Sequence, residues 1–172
     1  MYQEYLFHGS PIGGLTVLKP QISLELKPRL YATADRRYAI IRAGAQLDLV
    51  REEYQGFDKP FEIAECYPNA FEKQFDRVGY IYWVDKKDFI INPDDPDEYI
   101  CDHEVRPVRC ETISNILSLM QEGLWLGTGG FELVYEWDSE EYWKGVRGGR
   151  EGYLERKLAR KTKMLEMRKE AE

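Results

Sequence analysis

The side chains of this 172-residue chain that could do chemistry fall into two groups. The first is its thiols and imidazoles. Cys66, Cys101 and Cys110 are an odd number without CxxC spacing, which fits reduced thiols better than a disulfide frame. His8 and His103 are the only histidines, and Cys101 with His103 offers two soft ligands where a zinc site takes four, so no metal centre is expected. The second group is His8, Tyr31 and Glu98. Singly each has an ordinary explanation: a His beside Gly marks a turn, a Tyr fills a core, and Glu98 is one of 31 acidic residues. Their order and setting say more. A strand runs into His8-Gly9-Ser10, a second strand carries Tyr31 and passes at once into a helix holding Tyr38-Ala39, and a turn delivers Glu98 to the start of a later strand. An imidazole, a phenol and a carboxylate at strand ends are groups suited to proton handling and to stabilising charge.

The elements that must position them can be read from local patterns. Tyr5-Leu6-Phe7 is a short apolar strand that ends at the turn-forming His8-Gly9-Ser10-Pro11, which puts His8 at a strand edge. Leu30-Tyr31-Ala32 is a second strand. Thr33 offers an N-cap hydroxyl and Asp35 a first-turn carboxylate for a helix to about Ala43. Phe61-Glu62-Ile63-Ala64 and Tyr80-Ile81-Tyr82-Trp83-Val84 have the β-branched and aromatic content of strands. Two prolines and repeated Asp keep Asn92–Asp97 irregular, so the strand holding Glu98-Tyr99-Ile100 begins only after it. Ile113, Ile116, Leu117 and Met120 follow helical spacing behind a Thr112 N-cap, and Gly123 stops that helix. Phe131, Leu133, Tyr135 and Trp137 alternate with Glu132, Val134 and Glu136, giving a strand with one apolar face.

Length and composition fit one globular domain, since a chain of this size buries roughly 70% of its accessible surface on folding. No apolar run near membrane-spanning length and no signal-peptide pattern occur, so an intracellular, cytoplasmic protein without membrane contact is expected. The formal net charge of −7 argues against broad binding to a phosphate backbone. It is unevenly spread. Residues 151–172 hold seven Lys or Arg against five Glu, about +2, which leaves about −9 on the remainder. Residues 1–147 therefore read as the folded domain and 148–172 as a charged helical extension. Leu154, Leu158 and Leu165 give that helix a thin apolar stripe for docking on the domain or on a partner, and Arg156/Arg160 and Lys157/Lys161 set like charges one turn apart.

With these motifs in place, the chain resembles the ADP-ribosyltransferase superfamily, in its diphtheria-toxin-like and poly-ADP-ribose-polymerase-like branch with the His-Tyr-Glu signature. Leu6-Phe7-His8-Gly9-Ser10 is similar to the first motif, Leu30–Asp35 with Tyr38-Ala39 to the second, and Asp97-Glu98-Tyr99-Ile100 to the third, with Val105-Arg106-Pro107-Val108 leading into the next strand. The resemblance spans about residues 4 to 110. Position 96 is Pro, where toxins of the Arg-Ser-Glu branch carry Gln or Glu, so that branch is disfavoured. The second His and paired Arg of the RNA 2′-phosphotransferases find no counterpart.

What the resemblance implies is an α+β fold, a split β-sandwich of two small antiparallel sheets with flanking helices. NAD would be a substrate rather than a recycled cofactor, bound by His8, Gly9, Ser10, Tyr31 and Tyr38. His8 would contact the adenosine ribose, the Gly9 backbone would hold the nicotinamide carboxamide, and Tyr31 would wall the nicotinamide pocket. Tyr38 would either supply a second stacking face or point into the core. Glu98 would accept a hydrogen bond from the 2′-hydroxyl of the nicotinamide ribose and stabilise the oxocarbenium ion that develops as the glycosidic bond breaks. These roles require His8, Tyr31 and Glu98 to converge on one cleft. The implied activity is mono-ADP-ribosyl transfer to a protein, nucleic acid, small molecule or water. The alternative is a non-catalytic domain of the same fold that binds a nucleotide or protein, with the C-terminal helix as docking element.

Overall fold

The computed structural model describes residues 4–22, 27–45, 47, 49–123, 129–135, 143–144 and 147–170. Its strands are β1 (Tyr5–Ser10), β2 (Gln21–Ile22), β3 (Pro28–Thr33), β4 (Val50–Glu53), β5 (Phe61–Glu65), β6 (Gly79–Asp85), β7 (Ile90–Asn92), β8 (Asp95–Cys101), β9 (Arg109–Ile113) and β10 (Phe131–Val134). The helices are α1 (Arg36–Arg42), α2 (Ala70–Phe75), α3 (Ile116–Glu122) and α4 (Gly149–Glu170). The chain is thus α+β with two sheets. The larger has seven strands in the order β7-β8-β3-β1-β6-β9, with β2 added to β3, and the smaller is β10-β5-β4.

The expectation of two small antiparallel sheets is corrected in two respects. The first sheet is large, and in the second β10 lies parallel to β5, Phe131 opposite Phe61 and Val134 opposite Ala64. A parallel neighbour needs a long crossover, and here the crossover is the whole stretch from α2 to α3. One face of the large sheet, through Phe7, Ile81 and Ile113, shares a single apolar cluster with Val50, Phe61 and Ile63 of the small sheet and with all of the first three helices. The other face packs Leu6, Leu30, Ala32, Tyr82 and Val84 beneath Leu18 and Val105.

Several local boundaries differ from the sequence reading, each for a physical reason. β1 continues to Ser10, so His8 sits inside a strand and not at its edge. Asp35, not Thr33, caps α1 by accepting from the Arg37 amide, and the Thr33 hydroxyl accepts from the Asp35 amide one step earlier. Asn115 rather than Thr112 caps α3, since Thr112 and Ile113 are still in β9; Gly123 ends the helix at φ 63° as expected. β8 begins at Asp95 and includes Pro96, which is tolerated because β3 ends opposite Glu98 and no ladder bond from that side is lost. Phe131–Val134 form the last strand, which stops before Tyr135 where the alternation had carried it on; Glu136 and Trp137 lie outside the described residues.

α4 docks differently from its apolar stripe. Arg150 donates to the Cys66 carbonyl at 3.0 Å and Lys157 to the Val50 carbonyl at 3.2 Å, while Tyr153 packs on Trp143. Leu158 and Leu165 are exposed. No helix among the described residues is long and apolar enough to cross a membrane.

Candidate functional site

Glu98 is placed by its neighbours on both sides. On β3 it lies opposite Thr33, whose hydroxyl donates to the Asp97 carbonyl at 3.3 Å. From β7, Asn92 Nδ2 donates to Glu98 Oε2 at 3.3 Å. Asn92 is only 1% exposed, and its Oδ1 already accepts from the Asp94 amide in the turn between β7 and β8. With the oxygen used by the turn, the amide nitrogen must face Glu98. The carboxylate is thereby fixed at the edge of the core instead of swinging in solvent.

His8 is built into a seam. β1 and β3 are in register at a single pair, Phe7 opposite Thr33, and beyond it His8 Nδ1 lies 2.7 Å from the Tyr31 carbonyl. A carbonyl only accepts, so Nδ1 carries the proton. Burial lowers the pKa of His8, and the carbonyl hydrogen bond opposes this only in part. The ring is therefore neutral near pH 7, with a lone pair on Nε2 available to a hydroxyl donor. Gly9 is required for a reason other than ligand approach: a Cβ there would stand 1.8 Å from the Ala39 carbonyl, because α1 lies directly on β1. Ser10 is buried, and its hydroxyl accepts from the Ile12 amide at 3.1 Å, a turn role.

Strand alternation decides which of these groups share a face. Phe7, Thr33 and Glu98 are cross-strand partners and point to the same side, with Tyr31 two residues along on that side too. His8 steps to the opposite side, toward Tyr82, whose ring centroid is 6.4 Å from its own. The expected convergence of His8, Tyr31 and Glu98 side chains on one cleft is not met: Tyr31 and Glu98 share a face, and His8 lies on the other. His8 joins them through the Tyr31 backbone and not by side-chain contact.

α1 brings two further groups to the Glu98 side. The Tyr38 ring packs edge-on against Phe61 at 5.3 Å and against Tyr54 at 6.2 Å, so its body belongs to the core. Its hydroxyl accepts from Arg42 at 3.4 Å. One turn on, Arg42 pairs with Glu52 of β4 at 3.0 Å and lies over the Tyr38 ring. The Tyr38 pKa is raised, first by burial and then by the fields of Glu52 and Glu98, with Arg42 opposing. Glu98 is within electrostatic reach of Arg42 as well. Tyr38 thus both lines this cluster and anchors in the core.

The β4–β5 loop over this cluster is strapped down by Arg37. That side chain is buried, paired with Asp35 at 2.6 Å, donates to the Gly56 carbonyl at 3.1 Å, and has the rings of Tyr54 and Phe57 within 5.8 Å. Asn92, Arg42, Glu52 and Arg37 escape a motif reading, since each comes from a different element. The only local sign was Glu52, a carboxylate at the inward position of an alternating strand. Elsewhere, a depression of about 450 Å³ lined by Glu4, Tyr5, Asp85, Lys86 and Lys87 holds the solvated Lys87–Asp85 ion pair. Cys101 meets the His103 backbone carbonyl at 3.2 Å rather than its ring. No family model, curated protein or solved structure matches the chain.

Proposed function

We propose that the chain is an NAD-consuming mono-ADP-ribosyltransferase, releasing nicotinamide and passing ADP-ribose to an acceptor. The observation that carries this reading is the half-buried Glu98 carboxylate, oriented by the 1%-exposed Asn92 and placed on the face that Tyr31 shares, with the Tyr38 hydroxyl and Arg42 alongside. In this reading Glu98 accepts from the 2′-hydroxyl of the nicotinamide ribose. As the C1′–N bond breaks, its electron pair leaves with nicotinamide, and the fixed carboxylate stabilises the cation at C1′. Tyr31 flanks the nicotinamide. His8, neutral and on the opposite face, bonds the Tyr31 carbonyl through Nδ1 and in this reading positions Tyr31 rather than contacting the ribose. The Gly9 backbone holds the carboxamide, and Ser10 shapes the turn behind it.

A second reading has its own support. The pleat turns His8 away from the Glu98 face, and the Ala39 carbonyl occupies the space beside Gly9, both of which suit a non-catalytic domain that binds a nucleotide. Incubation with NAD separates the two. The transferase reading expects nicotinamide release, reduced about 10²–10³-fold in Glu98→Gln with folding intact. Release equal in wild type and Glu98→Gln, or none across acceptors, overturns it; thermal stabilisation by NAD without turnover supports the binding domain.

A further inference from the structure

Two surfaces of the chain are exposed, apolar and oppositely charged. β7 is the outer strand of the large sheet, and its Ile90 and Ile91 are 68% and 57% exposed. They lie in a segment, residues 88–104, that holds seven Asp or Glu and no Lys or Arg. The second surface is on α4. Arg150 and Lys157 tie the first half of that helix to the Cys66 and Val50 carbonyls, whereas Leu158 and Leu165 are 66% and 44% exposed. Residues 156–169 carry seven Lys or Arg and one Glu, with Arg156, Arg160, Lys163 and Lys169 all exposed. Apolar side chains left open on a soluble domain mark a contact surface, and here each lies in a field of one sign.

We propose that a second copy of the chain covers both surfaces: α4 of one protomer lies along the β7–β8 hairpin of its partner, and the reciprocal contact closes a two-fold dimer. Charge selects this pairing over the two simpler ones. Edge-to-edge joining of two β7 strands would bring two acidic hairpins together, and Pro93 follows the strand after only three residues. Packing α4 on α4 would join two basic faces, adding to the like charges that already stand one turn apart at Arg156 and Arg160. Helix on hairpin sets opposite signs around one apolar strip of Leu158, Leu165, Ile90 and Ile91. The lengths agree as well: residues 156–169 rise about 20 Å as a helix, and the seven residues of β8 span about 23 Å.

Sedimentation velocity of the full chain tests the dimer. At about 0.05 M salt a monomer–dimer equilibrium is expected, moving to monomer at about 1 M, where the screening length falls to about 3 Å. Reversing the helix (Arg160→Glu with Lys163→Glu) or the hairpin (Asp94→Lys with Asp102→Lys) should each weaken the dimer by about 10-fold or more. One chain carrying all four changes should regain it, because both contacts again hold opposite charges. All four positions are exposed, and unchanged circular dichroism verifies that each variant folds. A monomer at low salt, a dimer indifferent to salt or to either reversal, or a four-substitution variant no tighter than the two-substitution ones overturns the proposal. Species that grow past the dimer with concentration overturn it too, since an open chain of contacts is not a closed pair. A monomer that binds a DNA duplex of about 20 base pairs, and loses it when the helix is reversed, assigns α4 to a polyanion and overturns the dimer.

Discussion

The imidazole of His8 takes the place of a ladder hydrogen bond: its Nδ1 lies 2.7 Å from the Tyr31 carbonyl just past the one residue pair at which β1 and β3 are in register. The bond ties the first two motif strands together and sets which ring nitrogen keeps its lone pair.

Acid should cost the native state stability at this position. Burial holds the His8 pKa below its ordinary value of 6.5, so above that pH both folded and unfolded chains carry it neutral. As pH falls through 6.5 the unfolded chain takes up a proton that the native ring refuses, and native stability drops until the folded value is passed. Urea unfolding between about pH 7.5 and about pH 5 should show a steeper loss for wild type than for His8→Gln, which keeps an N–H donor and cannot titrate. Parallel curves would contradict a buried, neutral His8.

Asn92→Asp isolates the hold on Glu98. The remaining oxygen can still accept from the Asp94 amide, so the turn survives, but the donor to Glu98 becomes a second carboxylate within hydrogen-bonding distance. Two such carboxylates cannot both ionise cheaply, and the pKa of Glu98 should rise. The acid limb of nicotinamide release should move up by about one pH unit or more, with kcat down about 10-fold or more at neutral pH. An unchanged pH–rate profile would remove Asn92 from the machinery.

Arg37→Met keeps much of the side-chain volume and leaves Asp35 buried without its cation. Breaking a buried pair from one side costs about 3–5 kcal/mol. At about 2–4 °C per kcal/mol for a chain of this size, Tm should fall by about 10 °C. The loop that Arg37 holds by the Gly56 carbonyl should open, and chymotrypsin should cleave after Phe57 faster than in wild type at a temperature where both remain folded. Equal cleavage would assign Arg37 to the cap of α1 alone.

The parts of this architecture visible in the sequence are those where one strand's own pattern decides its fate. Tyr31 and Glu98 were each placed on a strand and His8 at the end of one, and the strands concerned, β1, β3 and β8, are neighbours in the large sheet. Helix starts were displaced where apolar spacing runs through a junction: Ile113, Ile116, Leu117 and Met120 are all buried, yet the first ends a strand and the rest belong to a helix. Strand alternation then put His8 and Glu98 on opposite faces, a consequence of pairing register that no single segment carries. Arg42, Glu52 and Asn92 could not be read in advance for the same reason. Their grouping depends on which helix lies over which strand, and only Glu52 breaks a local rule.

The narrow join at His8 also has a mechanical meaning. β1 pairs with β6 along six consecutive positions, whereas one register pair and one imidazole link it to β3. The large sheet is therefore two laddered halves, β7-β8-β3 and β1-β6-β9, whose backbones meet at one register pair beside the motif residues. What joins the halves is side chain and helix more than ladder: the His8 imidazole on the Tyr31 carbonyl, and α1, which leaves β3, lies on β1 and pairs Arg36 with Glu111 of β9.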